Sequence, residues 1–293
     1  MREFGLIIID KPIGPTSHRV VNLVRQGTGV RKVGHAGTLD PRASGVLVLC
    51  LGAATRLSEY ISTSSKSYEA VVRFGAATRT YDADGEVTRR TDVVPELEDI
   101  HKILPQFMGE IEQAPPPFSA IKLHGRKAYE LARAGEEVDL GPRTVRIYRL
   151  EVAGYRPPDL ALKIDCSAGT YMRSLAHDLG EQLGTGAYLA ALRRTKAGPF
   201  RIEEAVSLAR FESACVTGGW EAYLRPAAEA LPEFPIVKVD SEDLERIRFG
   251  HRIAAAPGSS AMARAIGPDG DLVAILEAVE DGTLWHPRKV FLE

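Results

Sequence analysis

Apolar positions along the chain change period several times, and the changes mark its elements. Residues 4–9 (Phe-Gly-Leu-Ile-Ile-Ile) are a continuous apolar run closed by Asp10-Lys11-Pro12 and Gly14-Pro15, which reads as a buried strand and a turn. Thr16 or Ser17 then offers a helix cap, and Val20, Val21, Leu23 and Val24 follow at helical spacing until the glycines at 27 and 29. A glycine-punctuated loop at 34–41 leads into an apolar strand at 46–51 and a helix at about 54–61. Residues 68–74 alternate like a half-buried strand, Asp82-Ala83-Asp84-Gly85 reads as a hairpin turn, and 97–108 has helical spacing. Beyond the proline run at 115–117, residues 126–133 look helical. Residues 145–152 and 160–166 read as strands paired across Pro157-Pro158, and 174–183 as a helix stopped by Gly184. Helical pieces are expected from there to about residue 230.

Pro232 and Pro235 mark a linker, after which the texture is strand-rich with turns at Gly267-Pro268-Asp269-Gly270 and Asp281-Gly282. The expected division is therefore 1–231 and 232–293. Strands and helices mix without regular βαβ alternation, which makes the fold class α+β. No internal repeat or low-complexity tract interrupts it.

Composition narrows the class of protein. Hydrophobic residues make up 44% and charged residues 26% of 293 residues, which excludes a chain dominated by disorder. The uncharged apolar stretch at 43–55 is shorter than the ~18 residues of a membrane helix. The apolar run at 6–9 has charges on both sides, unlike a secretory signal. Cys50, Cys166 and Cys215 lie far apart with no C-x-x-C, which reads as reduced thiols in a cytoplasmic protein without a structural zinc site.

Net charge is −2, which by itself speaks against a nucleic-acid partner. The distribution says otherwise. Residues 11–35 hold five basic residues and no acid, 119–149 hold seven basic against four acidic, and 184–200 hold Arg193, Arg194 and Lys196 with no acid. Residues 91–112, by contrast, carry six acids against Lys102. Each basic block alone reads as a solvated face; together they suit an anionic partner if they converge in space.

Several familiar chemistries are absent: a phosphate loop, a dinucleotide fingerprint, a zinc-deaminase motif and a nucleophile elbow. Asp82 and Asp84 faintly suggest a magnesium-dependent phosphohydrolase with an aspartate nucleophile, but no apolar strand precedes them. The densest signal is the 34–45 loop, with three glycines, His35 and Asp40 between a basic segment and an apolar strand. Glycines allow close backbone approach to a ligand, and an aspartate held there can act as nucleophile or base.

That loop, Gly34-His35-Ala36-Gly37-Thr38-Leu39-Asp40-Pro41-x-Ala43-Ser44-Gly45-Val46-Leu47, resembles the catalytic motif of TruB-type tRNA pseudouridine-55 synthases. Further segments match in order: Asp10-Lys11-Pro12-x-Gly14-x-Thr16-Ser17-His18, Lys66-x-Tyr68, and Thr78-x-Thr80-x-Asp82-x-Asp84-Gly85. They continue with Gln113-x-Pro115-Pro116-x-Phe118-Ser119-Ala120-x-Lys122-x-x-Gly125, Cys166-Ser167-x-Gly169-Thr170-Tyr171-x-Arg173-Ser174 and Leu192-Arg193-Arg194-Thr195. The match spans nearly the whole chain.

The resemblance implies a mixed, mostly antiparallel sheet with flanking helices and a small β-rich, PUA-like C-terminal domain. It implies isomerisation of one uridine in the T-arm of tRNA, with no cofactor and no metal. No obligate-dimer signature stands out in the sequence, so a monomer is expected, in the cytoplasm that the cysteines suggest. It assigns Asp40 the catalytic aspartate and Arg173 the arginine paired with it, and a nearby cation favours an ionised carboxylate. It makes Tyr68 the ring stacked on the uracil, Tyr171 and Leu192 pocket walls, and His35 the residue that helps open the T-loop. Lys11, Arg19, Arg31, Lys32 and Lys122 are candidate phosphate contacts. Residues 117–142 correspond to an insertion that closes over the RNA. A non-catalytic tRNA folding chaperone of the same fold is the principal rival reading.

Overall fold

The apolar run at the start of the chain forms strand β1 (Gly5–Lys11), in which only Asp10 escapes full burial. It leads to helix α1 (Ser17–Thr28), whose limits have local causes. Thr16 keeps an extended backbone and its side-chain oxygen accepts the Arg19 N–H, while Gly29 ends the helix in the left-handed region. The computed structural model describes residues 4–118, 122–123, 126–127, 140–256 and 259–292.

In chain order there follow β2 (Val33–His35), β3 (Ala43–Leu51), α2 (Ser58–Thr63), β4 (Lys66–Phe74), β5 (Ala76–Thr78), β6 (Val87–Arg90), α3 (Leu97–Ile103) and β7 (Gly109–Gln113). Next come β8 (Lys122–Leu123), β9 (Arg126–Lys127), β10 (Arg143–Arg156), β11 (Asp159–Cys166), α4 (Met172–Gln182), β12 (Ala187–Ala197), β13 (Phe200–Arg201), β14 (Val206–Ser207) and α5 (Leu208–Thr217). The chain closes with β15 (Ile236–Lys238), α6 (Ser241–Arg248), β16 (Ile253–Ala254), β17 (Met262–Ile266), β18 (Leu272–Val279) and β19 (Leu284–Val290). No helix among the described residues is long and apolar enough to cross a membrane.

The chain divides into two units. The first takes in Met1–Pro41, Val46–Ser62 and Ala197–Glu293. Here β1 runs parallel to β14, and β2 pairs antiparallel with β3 from Val33–Leu51 to His35–Leu49. Leu6, Ile8, Val46, Val48, Leu57, Phe200 and Leu231 share one apolar cluster. The C-terminal strands form a sheet in the order β15-β17-β18-β19-β16. Strand β18 is buried on both faces: Leu272 and Ile275 join the first cluster, while Val273, Ala274 and Leu276 join another around Ile247 and Trp285.

The second unit comprises Arg42–Gly45 and Thr63–Lys196. Its strands lie in the order β12-β4-β11-β10-β7, antiparallel from β4 to β7. Alternate residues Ala70, Val72, Phe74 and Leu160, Leu162, Ile164 turn to one face. They meet Met172, Leu175, Ala176 and Leu179 of α4, which recur at helical spacing on one stripe. Both features expected of the fold class are present: a mixed, mostly antiparallel sheet with helices, and a β-rich C-terminal part.

Two local expectations are corrected. Residues 187–197 are strand β12 and not helical pieces. Their alanines and leucines favour a helix, but the segment is hydrogen-bonded between β4 and the start of β3, and sheet position overrides propensity. Arg126 and Lys127, expected at the start of a helix, pair with Leu123 and Lys122 as a short two-stranded ladder. The remainder of that expected helix lies outside the described residues.

Candidate active site

Asp40 sits on the loop that joins β2 to β3, half-buried. The backbone on both sides of it is pinned. Ser17, the first residue of α1 and 2% exposed, donates its hydroxyl to the Leu39 carbonyl and accepts the Leu39 N–H, both at 2.9 Å. On the other side the Gly14 N–H donates to the Pro41 carbonyl at 2.8 Å. At the head of the loop the Ala36 N–H donates to the Val48 carbonyl at 2.9 Å. His35 lies on the same loop, half-buried at the end of β2 and opposite Leu49.

Lys11 departs from the expectation of a phosphate-facing cation. It is fully buried, and its ammonium donates to the carbonyls of Pro12 and Pro15 at 2.9 and 3.0 Å. It therefore holds the turn ahead of α1, since a buried ammonium must be satisfied by protein acceptors. Arg19, Arg31 and Lys32 are exposed, as phosphate contacts require. The side chain of Lys122 and most of the 117–142 insertion lie outside the described residues.

Arg173 occupies the first turn of α4 and is 8% exposed. Its Nη1 donates to the carbonyls of Phe118 and Thr80 at 3.0 and 3.3 Å and stands 3.8 Å from an Asp82 carboxylate oxygen. The start of the helix is itself clamped. Gln113, 2% exposed, receives the Tyr171 N–H on its amide oxygen at 2.7 Å and donates its NH2 to the Tyr171 carbonyl at 3.0 Å. Ser174 donates to the Ala114 carbonyl at 2.7 Å. Tyr171 is half-buried at this helix entry. Tyr68 on β4, opposite Ile164, and Leu192 on β12, opposite Ala43, both pack against the apolar cluster of the second unit.

Asp82 received no catalytic role from the sequence beyond the rejected phosphohydrolase reading, yet its carboxylate faces Arg173. The other carboxylate oxygen accepts the Thr80 hydroxyl and, at 3.1 Å, the Asp84 N–H. Thr78 donates its hydroxyl to the Asp82 carbonyl at 2.7 Å, and Asp84 pairs with Arg42. The spacing of two threonines before the aspartate was the available signal: a turn does not need both hydroxyls aimed at one residue. Gln113 was likewise missed as a clamp.

Gly45, at φ +105°, marks a close approach. A Cβ there would sit 2.1 Å from the Arg194 carbonyl oxygen, so only glycine lets β3 run beside β12 at this point. Arg194 is 1% exposed, and burial together with the Arg194 charge pushes the pKa of buried Lys66 down to about 8. Part of the basic block at 184–200 thus lies inside the protein. Among the described residues, no group of three or more His, Cys, Asp or Glu side chains is placed to hold a metal ion.

Family models match almost the whole length: the N-terminal domain of TruB family pseudouridylate synthases over residues 25–172, the C-terminal domain of tRNA pseudouridylate synthase B over 173–231, and the C-terminal model of tRNA pseudouridine synthase II over 234–292. The chain belongs to the TruB family of pseudouridylate synthases. It is 41% identical to a tRNA pseudouridine synthase B of Pseudomonas fluorescens, across 98% of this chain and 95% of that one. Against the protein of that name from Solibacter usitatus the identity is 44%, across 98% and 99%. Among solved structures it is similar to a chain of an H/ACA RNP bound to a substrate RNA containing 2′-deoxyuridine, at TM-score 0.76 and 26% identity over 99% of this chain and 86% of that one. A chain of a Cbf5-Nop10-Gar1 complex gives TM-score 0.76 and 28% identity over 99% and 85%. These likenesses make the architecture of this TruB family member the pseudouridine synthase fold.

Proposed function

We propose that this enzyme converts uridine-55 in the T-loop of tRNA to pseudouridine, in the cytoplasm, as a monomer and without a cofactor. The observation that carries the reading is the pinning of Leu39 and Pro41, which fixes the backbone on both sides of Asp40 before any substrate arrives. The relatives' names and the pattern of matched motifs support tRNA as the substrate.

In this reading Asp40 works on the flipped nucleoside. The C1′–N1 bond breaks, the uracil turns, and a C1′–C5 bond forms. N1 gains a proton and C5 releases one to solvent, so the reaction is an isomerisation that consumes nothing. Arg173 supplies positive charge to the reacting groups, and Asp82 with the two carbonyls fixes Arg173. Tyr68 stacks on the uracil, Tyr171 and Leu192 wall the pocket, and His35 helps open the loop. Extracting a stacked base costs a few kcal/mol, and stacking on an aromatic ring returns about 1–3 kcal/mol. Arg19, Arg31 and Lys32 contact phosphates, and residues 232–293 act as a PUA-like domain.

The test is tritium release from C5-tritiated uridine in a T-arm stem-loop, with EDTA present. One equivalent released per RNA is expected, and none when cytidine replaces uridine-55 and label sits in the other uridines. Tight RNA binding without release would favour the folding chaperone.

A further inference from the structure

Tyr81 adopts φ +63°, a left-handed conformation that is strained for an aromatic residue. Something must hold it there. Its N–H donates to the Thr78 carbonyl at 3.2 Å and its carbonyl accepts the Leu189 N–H at 2.9 Å. Its ring lies flat on the imidazole of His177, with centroids 3.8 Å apart and planes 6° apart. Nδ1 of His177 is buried with no hydrogen-bond partner among the described residues, so stacking and packing fix this imidazole. Burial also lowers the proton affinity of His177, with Glu181 opposing and Arg89 assisting.

The position of the stack gives it a purpose. His177 follows Arg173 by four residues on α4, so both side chains leave the same helix face. Arg173 grips the residues flanking Tyr81, the Thr80 carbonyl and the Asp82 carboxylate, while His177 grips Tyr81 itself. Three consecutive turn residues are thereby tied to two side chains one helical turn apart.

We propose that Tyr81 and His177 are positioning residues, whose stack sets the register of the Asp82 carboxylate against the Arg173 guanidinium and so acts on the chemical step, not on RNA binding. This rests on the reading of Arg173 as the partner of the reactive aspartate. A merely structural stack would be dispensable once the strain at Tyr81 is relieved.

Tyr81→Gly separates the two possibilities, because glycine adopts the left-handed conformation freely but has no ring. The expected result is a melting temperature no lower than wild type, an RNA Kd within about twofold, and a single-turnover rate reduced about 10- to 100-fold, the scale of a misplacement near 1 Å. His177→Ala should lose the rate in the same way, and His177→Phe, which keeps a flat ring, should recover most of it. Wild-type rate in Tyr81→Gly and His177→Ala, a loss seen in Kd instead of rate, or failure of His177→Phe to recover would each overturn the proposal. A second readout does not depend on turnover. Resolved Arg173 Nη protons in nitrogen-15 arginine spectra should average out in Tyr81→Gly and return in His177→Phe; unchanged signals in Tyr81→Gly would contradict the positioning role even if no substrate were turned over. Inactive wild type on the T-arm stem-loop would count against the function reading alone.

Discussion

The 34–41 loop and the 78–85 turn each carry an aspartate, and they treat it differently. At Asp40 it is the flanking backbone that is held, through Ser17 on one side and Gly14 on the other. Around Asp82 the hydrogen bonds go to the carboxylate itself, from Thr80 and Asp84, with Arg173 beyond. The first arrangement fixes a stretch of backbone, and the second fixes a carboxylate. A carboxylate that accepts a hydroxyl and a backbone N–H and faces a guanidinium serves as an anchor, which speaks against the phosphohydrolase reading of this turn. The backbone of the second loop pays for its shape with a left-handed aromatic residue, where the first relies on glycines.

The sharpest way to test the anchor half of this contrast is Arg173→Met. A single-turnover rate down by about a thousandfold is expected, with Kd nearly unchanged, because the lost charge acts on the reacting groups and not on the RNA backbone. A protein that merely unfolds would make the arginine structural. Ser17→Ala probes the other half. It leaves a buried N–H and carbonyl of Leu39 unsatisfied, at about 1–3 kcal/mol each, and frees Asp40 to wander. Thermal unfolding should fall by several degrees and the rate should drop with it; a drop in neither would mean the loop is held elsewhere.

Binding discriminates more finely. Arg31→Ala and Lys32→Ala should each weaken RNA affinity severalfold and flatten the salt dependence by about one unit of slope, while Lys11→Ala should lower stability and leave the slope alone. Equal slopes in all three would put the phosphate contacts elsewhere. The smallest effect concerns Asp178, next to His177 on α4, whose pKa burial and Glu181 push up to about 6. A carboxyl raised in the folded state contributes stability that is full below its unfolded value near 3.8 and is lost as pH rises through about 6. Asp178→Asn should therefore raise the melting temperature by about 2–4 °C at pH 7.5 and by nothing near pH 4. A gain that is independent of pH would contradict the assignment.

The elements legible in the sequence were those with an unambiguous period. The apolar runs of β1 and β3 and the alternation in β10 and β11 left little choice. Strand β12 was not legible, because Ala187 to Ala197 favour a helix in isolation and become a strand only through neighbours on both sides. The site divides similarly. Asp40 stood out because its glycine-rich setting is local, and the family motif around it is dense. Asp82 looked like any hairpin aspartate, since its partner lies at the start of a distant helix. Lys11 and Arg194 counted as positive surface in a sum of charges, yet both are buried. A charge tally cannot see which cations face inward.

The central claim is that Asp40 reacts and Asp82 anchors. It is tested most directly by single-turnover tritium release from the T-arm stem-loop, at saturating enzyme, for Asp40→Asn and Asp82→Asn side by side with wild type. The account predicts no detectable release from Asp40→Asn at any time, and complete but slower release, by about 10- to 100-fold, from Asp82→Asn. Release to completion by Asp40→Asn, or equal abolition in both variants, would contradict it.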